Sequence, residues 1–208
     1  VSFEEATFLD GLGVAVHAVR SAGLFPGCGV LVLGGGPIGL SIGQVAAAMG
    51  AGRVALTDVY DTPLDCGAAL GMGPCLNVAG ADAQDAASAL LDAGVDDGYT
   101  AVFDTTGQLE AQYLGLSVLQ RGGTFVAMAG VVDGLQLNES SLAGERRLVT
   151  SSNNFVEDFE IGLRLLVSGA VNVAPIVTHS YPLDEAPAAF DTALRKQETG
   201  ALKVVLRV

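Results

Sequence analysis

Lysine is nearly missing from this 208-residue chain: only Lys196 and Lys203 occur, beside eight arginines. Against 23 Asp and Glu this leaves a net charge of −13. Partners that need clustered cations, nucleic acid and anionic membrane surfaces, are excluded on that ground. Cysteine is equally sparse. Cys28, Cys66 and Cys75 form an odd set without a CxxC spacing, too few for a disulfide scaffold or a structural zinc site. The plain reading is a reducing cytoplasm, with each Cys a small buried hydrophobe. Proline is limited to 7 residues while half of the chain is hydrophobic, which excludes a disordered protein.

Two further absences shape the reading. The opening residues Val1–Glu5 have no basic region, so they do not read as a signal peptide. They also lack Met, and the expectation is a portion of a longer protein. No charged residue occurs between Arg20 and Arg53, a gap long enough for a membrane span. Gly34-Gly35-Gly36-Pro37 breaks that stretch in two, which points instead to a soluble strand–turn–helix. No membrane partner is expected.

What is present is an alternation. Ser2 and Glu5 form a capping-box pair before apolar residues that continue to Val19, and Gly11 and Gly13 predict two short helices with a bend. Strands are expected at 30–33, 53–56 (closed by Thr57-Asp58), 75–78, 101–104 and 124–129, with a sixth at 148–151. Helices are expected between them at 37–49, 63–70, 83–93 and 109–119, the second entered by Thr62 as N-cap with Pro63 first. This rhythm means βαβ units and an open, doubly wound parallel α/β sheet. Beyond Ser152 it changes, to helices at 156–168 and 184–196 and strands around 175–178 and 203–206. The boundaries drawn are 1–24 for a helical entry segment, 25–155 for the sheet domain and 156–208 for a C-terminal tail.

One motif carries chemistry. Gly34-Gly35-Gly36-Pro37-Ile38-Gly39 is a GxGxxG between an apolar strand and a helix. Its first Gly allows the tight turn, the second lets backbone touch a pyrophosphate, and the third lets helix and strand pack closely. The helix that follows aims free N–H groups and its positive dipole end at the phosphates. Asp58 closes the next strand about 20 residues on, where a carboxylate meets the ribose hydroxyls of adenosine. Its charge repels a 2′-phosphate, and no Arg follows at 59–63, so NAD(H) is expected over NADP(H).

With these residues in view, the chain resembles the coenzyme-binding half of zinc-type medium-chain alcohol dehydrogenases, in the manner of the sorbitol, threonine and butanediol enzymes. The stretches that carry the resemblance are 1–6, 13–18, 30–40, 122–126, 175–179, 182–186, 189–190 and 203–205, spread in order over nearly the whole chain. The resemblance implies a six-stranded Rossmann sheet followed by a tail that returns to a separate GroES-like catalytic domain. It places Gly34, Gly36, Pro37, Ile38 and Gly39 at the pyrophosphate and Asp58 and Val59 at the adenosine. Thr106, Ala129, Gly130 and Val131 would line the nicotinamide. Zinc is expected only in the missing domain. The implied activity is hydride transfer between a secondary alcohol or ketone and NAD, in a homo-oligomer joined through the sheet edge near Leu148.

Departures from the family pattern leave alternatives open. A basic residue often found five positions after the ribose-binding acid is Pro63 here. A Glu-Pro pair appears as Asp10-Gly11, and an Arg-Tyr pair of the polyol branch as Asn154-Phe155. Asp10 either reaches a metal-bound water or is a helix-end residue; His17 either relays protons or is a packed structural histidine. His179 is expected in a turn. Ile176-Val177 and Val204–Leu206 are expected to lack strand partners. The rival functions are a zinc-independent quinone or enoyl reductase and a non-catalytic NAD(H)-binding module.

Overall fold

The computed structural model describes residues 1–93, 95, 97–130, 134–137, 139 and 141–208. Helices α1 (Phe3–Ala6) and α2 (Leu9–Ser21) precede strand β1 (Gly29–Leu33). Then α3 (Pro37–Ala48), β2 (Arg53–Asp58), α4 (Asp61–Ala69), β3 (Cys75–Asn77), α5 (Ala83–Asp92), β4 (Tyr99–Asp104), α6 (Leu109–Ser117) and β5 (Leu119–Ala127) alternate. The edge strand β6 (Arg147–Thr150) and helix α7 (Val156–Val167) complete this part. The six strands form one parallel sheet in the order β3-β2-β1-β4-β5-β6, the Rossmann order. Of the described helices, none is long and apolar enough to cross a membrane.

The sheet is sandwiched because its central strands are apolar on both faces. Val30 and Val32 of β1 point into one core with Leu12 and Val16 of α2 and Ile42 of α3. Leu31 and Leu33 point the other way, to Leu90 of α5 and Leu114 of α6. All of these side chains are buried, each contributing ~1.5–3 kcal/mol from apolar area removed from water.

The expected bend in the first helical segment lies elsewhere. The break falls at Thr7-Phe8, where Phe8 turns into the core, while Gly11 and Gly13 sit inside α2. These glycines permit close approach instead. A Cβ on Gly13 would stand 3.0 Å from Asn154, and one on Gly162 of α7 would stand 3.1 Å from the Leu12 Cβ.

Where α2 meets α7 a buried carboxylate fastens them. Asp158 accepts from His17 Nδ1 at 2.9 Å, from Arg20 Nη1 at 2.5 Å and from the Phe155 amide at 3.1 Å. Burial is the largest single influence and pushes its carboxyl up, but these three donors together hold it below the usual range. A depressed folded pKa stabilises above the unfolded value and loses that contribution as pH falls through the folded one. Asp158→Asn is expected to cost about 1–3 kcal/mol at pH 7. Urea unfolding at a series of pH values should show that gap narrowing only below about pH 4.

Two other boundaries differ from expectation. Helix α4 begins at Asp61, with Tyr60 rather than Thr62 before it and no side-chain cap. The reason is local: Asp58 Oδ1 accepts the Val59 and Tyr60 amides, at 2.7 and 3.0 Å, and turns the chain at once. Strand β5 starts at Leu119 and runs through Gly122-Gly123, so that pair lies within a strand, not before it.

The tail also departs from expectation. Strand β7 (Val177–Pro182) and strand β8 (Lys203–Arg207) pair with each other in parallel, and His179 lies on β7 rather than in a turn. Ile176 is fully buried in the α2–α3–α7 core, so these apolar segments have partners within the chain. The single helix expected over 184–196 is instead α8 (Ala186–Leu194) and a short α9 (Lys196–Thr199).

Candidate functional site

At the carboxyl ends of β1 and β4 the chain leaves in opposite directions, which opens a crevice between neighbouring strands. The turn after β1 fills its middle. Gly34 has φ +95°, and a Cβ there would lie 2.6 Å from Thr105 Oγ1 and 2.8 Å from Thr106 Cγ2. At Gly39 a Cβ would come within 1.9 Å of the Gly34 carbonyl oxygen, so the first turn of α3 rests directly on the strand end.

Gly36 behaves differently. It is the residue before α3, with φ −65° and ψ 175°, and nothing lies within 4 Å of the Cβ position. Pro37 follows as the first helical residue, and α3 has no acidic residue in its first turn. The amides of Ile38 and Gly39 belong to the orphan donors that open any helix. Open space, free amides and a helix dipole are the features with which a helix start can receive an anion.

Asp58 stands across from that turn. Its Oδ2 accepts the Gly35 amide at 2.7 Å while Oδ1 takes the Val59 and Tyr60 amides. Three donors fix the carboxylate's direction, and an ionised carboxylate has about four acceptor positions. Val59 beside it is exposed. Gly36, Pro37 and Asp58 line one cleft of about 170 Å³, whose other wall is built by Lys196 and Gly200–Leu202 of the tail.

The other half of the crevice is organised by Asp104, fully buried at the end of β4. Its Oδ1 accepts from the Thr106 amide and hydroxyl, at 2.9 and 2.7 Å, and from the Gly107 amide; Oδ2 accepts from Gln112 at 2.6 Å. The Thr106 hydroxyl is thereby committed to the loop, and its methyl faces Gly34. A Cβ on Gly107 would lie 2.6 Å from the Gly130 carbonyl oxygen and 3.2 Å from the Ala129 Cβ. The structure thus strings Asp58, Gly34, Thr106, Ala129 and Gly130 along one crest. Val131 lies outside the described residues.

Other candidates have structural partners. His17 is bonded to Asp158 and packs edge-on against Phe155 at 5.1 Å, and Asn154 Nδ2 donates to the Asp10 side chain at 3.2 Å. Burial pushes the thiols of Cys66 and Cys75 up, so they stay protonated at neutral pH. Among the described residues no three His, Cys, Asp or Glu side chains gather as metal ligands.

A family model described as zinc-binding dehydrogenase matches residues 37–168. The chain belongs to that family. It is 31% identical over 210 residues to sorbitol dehydrogenase of Bos taurus, covering 100% of this chain and 57% of the relative. It is 32% identical over 208 residues to L-threonine 3-dehydrogenase of Shewanella woodyi, covering 99% and 59%. The solved structure of an alcohol dehydrogenase from Thermus sp. ATN1 superposes with a TM-score of 0.89 at 28% identity, covering 100% of this chain and 59% of that one. This zinc-binding dehydrogenase chain therefore spans somewhat over half the length of the relatives it matches. Sequence reasoning missed the tail's part in the cleft, since Lys196 is remote from every motif and nothing in its neighbourhood signals a ligand.

Proposed function

We propose that this chain is the NAD(H)-binding portion of an alcohol or polyol dehydrogenase that moves a hydride between a secondary alcohol and nicotinamide. The observation that carries the reading is the pair formed by Gly36, open where a pyrophosphate needs room, and Asp58, oriented where a ribose needs an acceptor. Bound nicotinamide would supply the hydride chemistry. Gly36, Pro37 and the amides of Ile38 and Gly39 would hold the pyrophosphate. Asp58 and Val59 would receive the adenosine ribose, and Thr106, Ala129, Gly130 and Val131 would flank the nicotinamide ring. Exposed Phe155, at the start of α7, leaves apolar surface for the remainder of the protein.

In this reading the boundaries near residues 24 and 155 separate entry segment, sheet and tail, and the tail packs on a catalytic domain that holds the zinc. The substrate is a small alcohol or ketone, the compartment is the cytoplasm, and β6 joins protomers across a two-fold axis.

The test is NAD⁺-dependent oxidation of a panel of secondary alcohols and polyols. The native protein is expected to reduce NAD⁺, while residues 1–208 alone bind NADH and turn over nothing. Faster reaction with NADPH on quinones or enoyl substrates would favour the zinc-independent reductase. Appreciable turnover by residues 1–208 in zinc-free buffer would contradict the division of roles.

A further inference from the structure

Arg195 and Lys196 are adjacent cations with different surroundings. The Arg195 guanidinium is held by Asp191 and, at 3.5 Å, by Glu198. Among the described residues the Lys196 ammonium has no carboxylate partner, and Lys196 lines the cleft that contains Gly36 and Asp58. Its backbone is held there. Gly200 ends α9 at φ +68°, where a Cβ would lie 3.4 Å from Thr62 Oγ1 at the start of α4. Thr199 Oγ1 lies 3.0 Å from the Thr192 carbonyl, and Ala201 is buried. The wall opposite carries Pro63 rather than a cation, so Lys196 is the one positive charge among the described lining residues.

We propose that Lys196 is a specificity-determining residue of the dinucleotide site, acting on the phosphate-bearing adenosine half from the wall opposite the glycine turn. The inference rests on the NAD(H) reading above. An anionic ligand approaching a chain of net charge −13, past the Asp58 carboxylate, meets repulsion that a nearby ammonium offsets. Lys196 is exposed, so its contribution is modest and screened by salt. It also bears on the choice between dinucleotides. Asp58 opposes a 2′-phosphate, and with that charge removed Lys196 becomes a counter-charge for it.

The test is titration of the native protein with NADH and NADPH, followed by nicotinamide fluorescence, at 20 mM and 500 mM salt. Lys196→Gln is expected to weaken NADH roughly 3–10-fold at low salt and under about 2-fold at high salt, with Lys196→Arg near wild type. Asp58→Asn is expected to improve NADPH binding by roughly 10-fold, and adding Lys196→Gln to remove most of that gain. A merely structural Lys196 would move the melting temperature and not the salt dependence. Wild-type NADH binding that Lys196→Gln leaves unchanged at low salt would overturn the inference while sparing the NAD(H) reading. A wild-type protein that binds neither dinucleotide would overturn both.

Discussion

Gly36→Val is expected to weaken NADH binding roughly 100-fold while leaving the fold in place. Nothing lies within 4 Å of the Cβ position, and the backbone at φ −65° accepts any L residue. Replacing Gly before a helix with Val costs about 1 kcal/mol, since Gly is much preferred over Val at that position. The isopropyl group would then occupy the space assigned to the pyrophosphate and cover the free amides of α3. A loss of roughly 100-fold in affinity, about 2.7 kcal/mol, is expected. Circular dichroism should remain that of the wild type. A variant that binds NADH normally would remove the turn from the cofactor site.

Gly39→Ala should do the opposite. Its Cβ would come within 1.9 Å of the Gly34 carbonyl oxygen, a backbone atom that cannot swing aside. Either α3 lifts from β1 or the turn deforms, and both disturb the core around Leu40 and Ile42. A cost of about 3 kcal/mol is expected from overpacking of this kind, a fall in melting temperature of roughly 10 °C for a chain of this size. NADH binding would weaken as a consequence of lost structure. The two glycines, three residues apart, thus separate a ligand role from a packing role. Equal thermal stability of both variants would contradict the geometry of the turn.

Much of this was legible before any coordinates. Val30–Leu33 reads as a strand buried on both faces, and it is one. The GxGxxG turn and Asp58 announce themselves because their chemistry is local: a tight turn needs glycine at a fixed offset, and a strand end presents its last side chain to the crevice. Where the sequence misled, long-range contacts were mostly the reason, and in one place a local turn was. Gly11 and Gly13 look like helix breakers, but Ile38 of α3 and the Asn154 side chain approach so closely that small residues are favoured inside α2. Thr62-Pro63 looks like a helix entry, but the Asp58 carboxylate turns the chain two residues earlier. The pairing of β7 with β8 joins segments separated by α8 and α9, and periodicity carries no signal for it. Lys196 was invisible for the same reason; only the folded tail brings it to the cleft.

The most direct test of the central claim is titration of the wild-type chain with NADH, followed by nicotinamide fluorescence. The chain has no tryptophan to complicate the signal. Saturable one-to-one binding, displaced by NAD⁺ and far less readily by NADP⁺, is the expected result. Absence of saturable binding, or displacement by NADP⁺ at lower concentration than by NAD⁺, would contradict the assignment of the Gly36–Asp58 crevice to NAD(H).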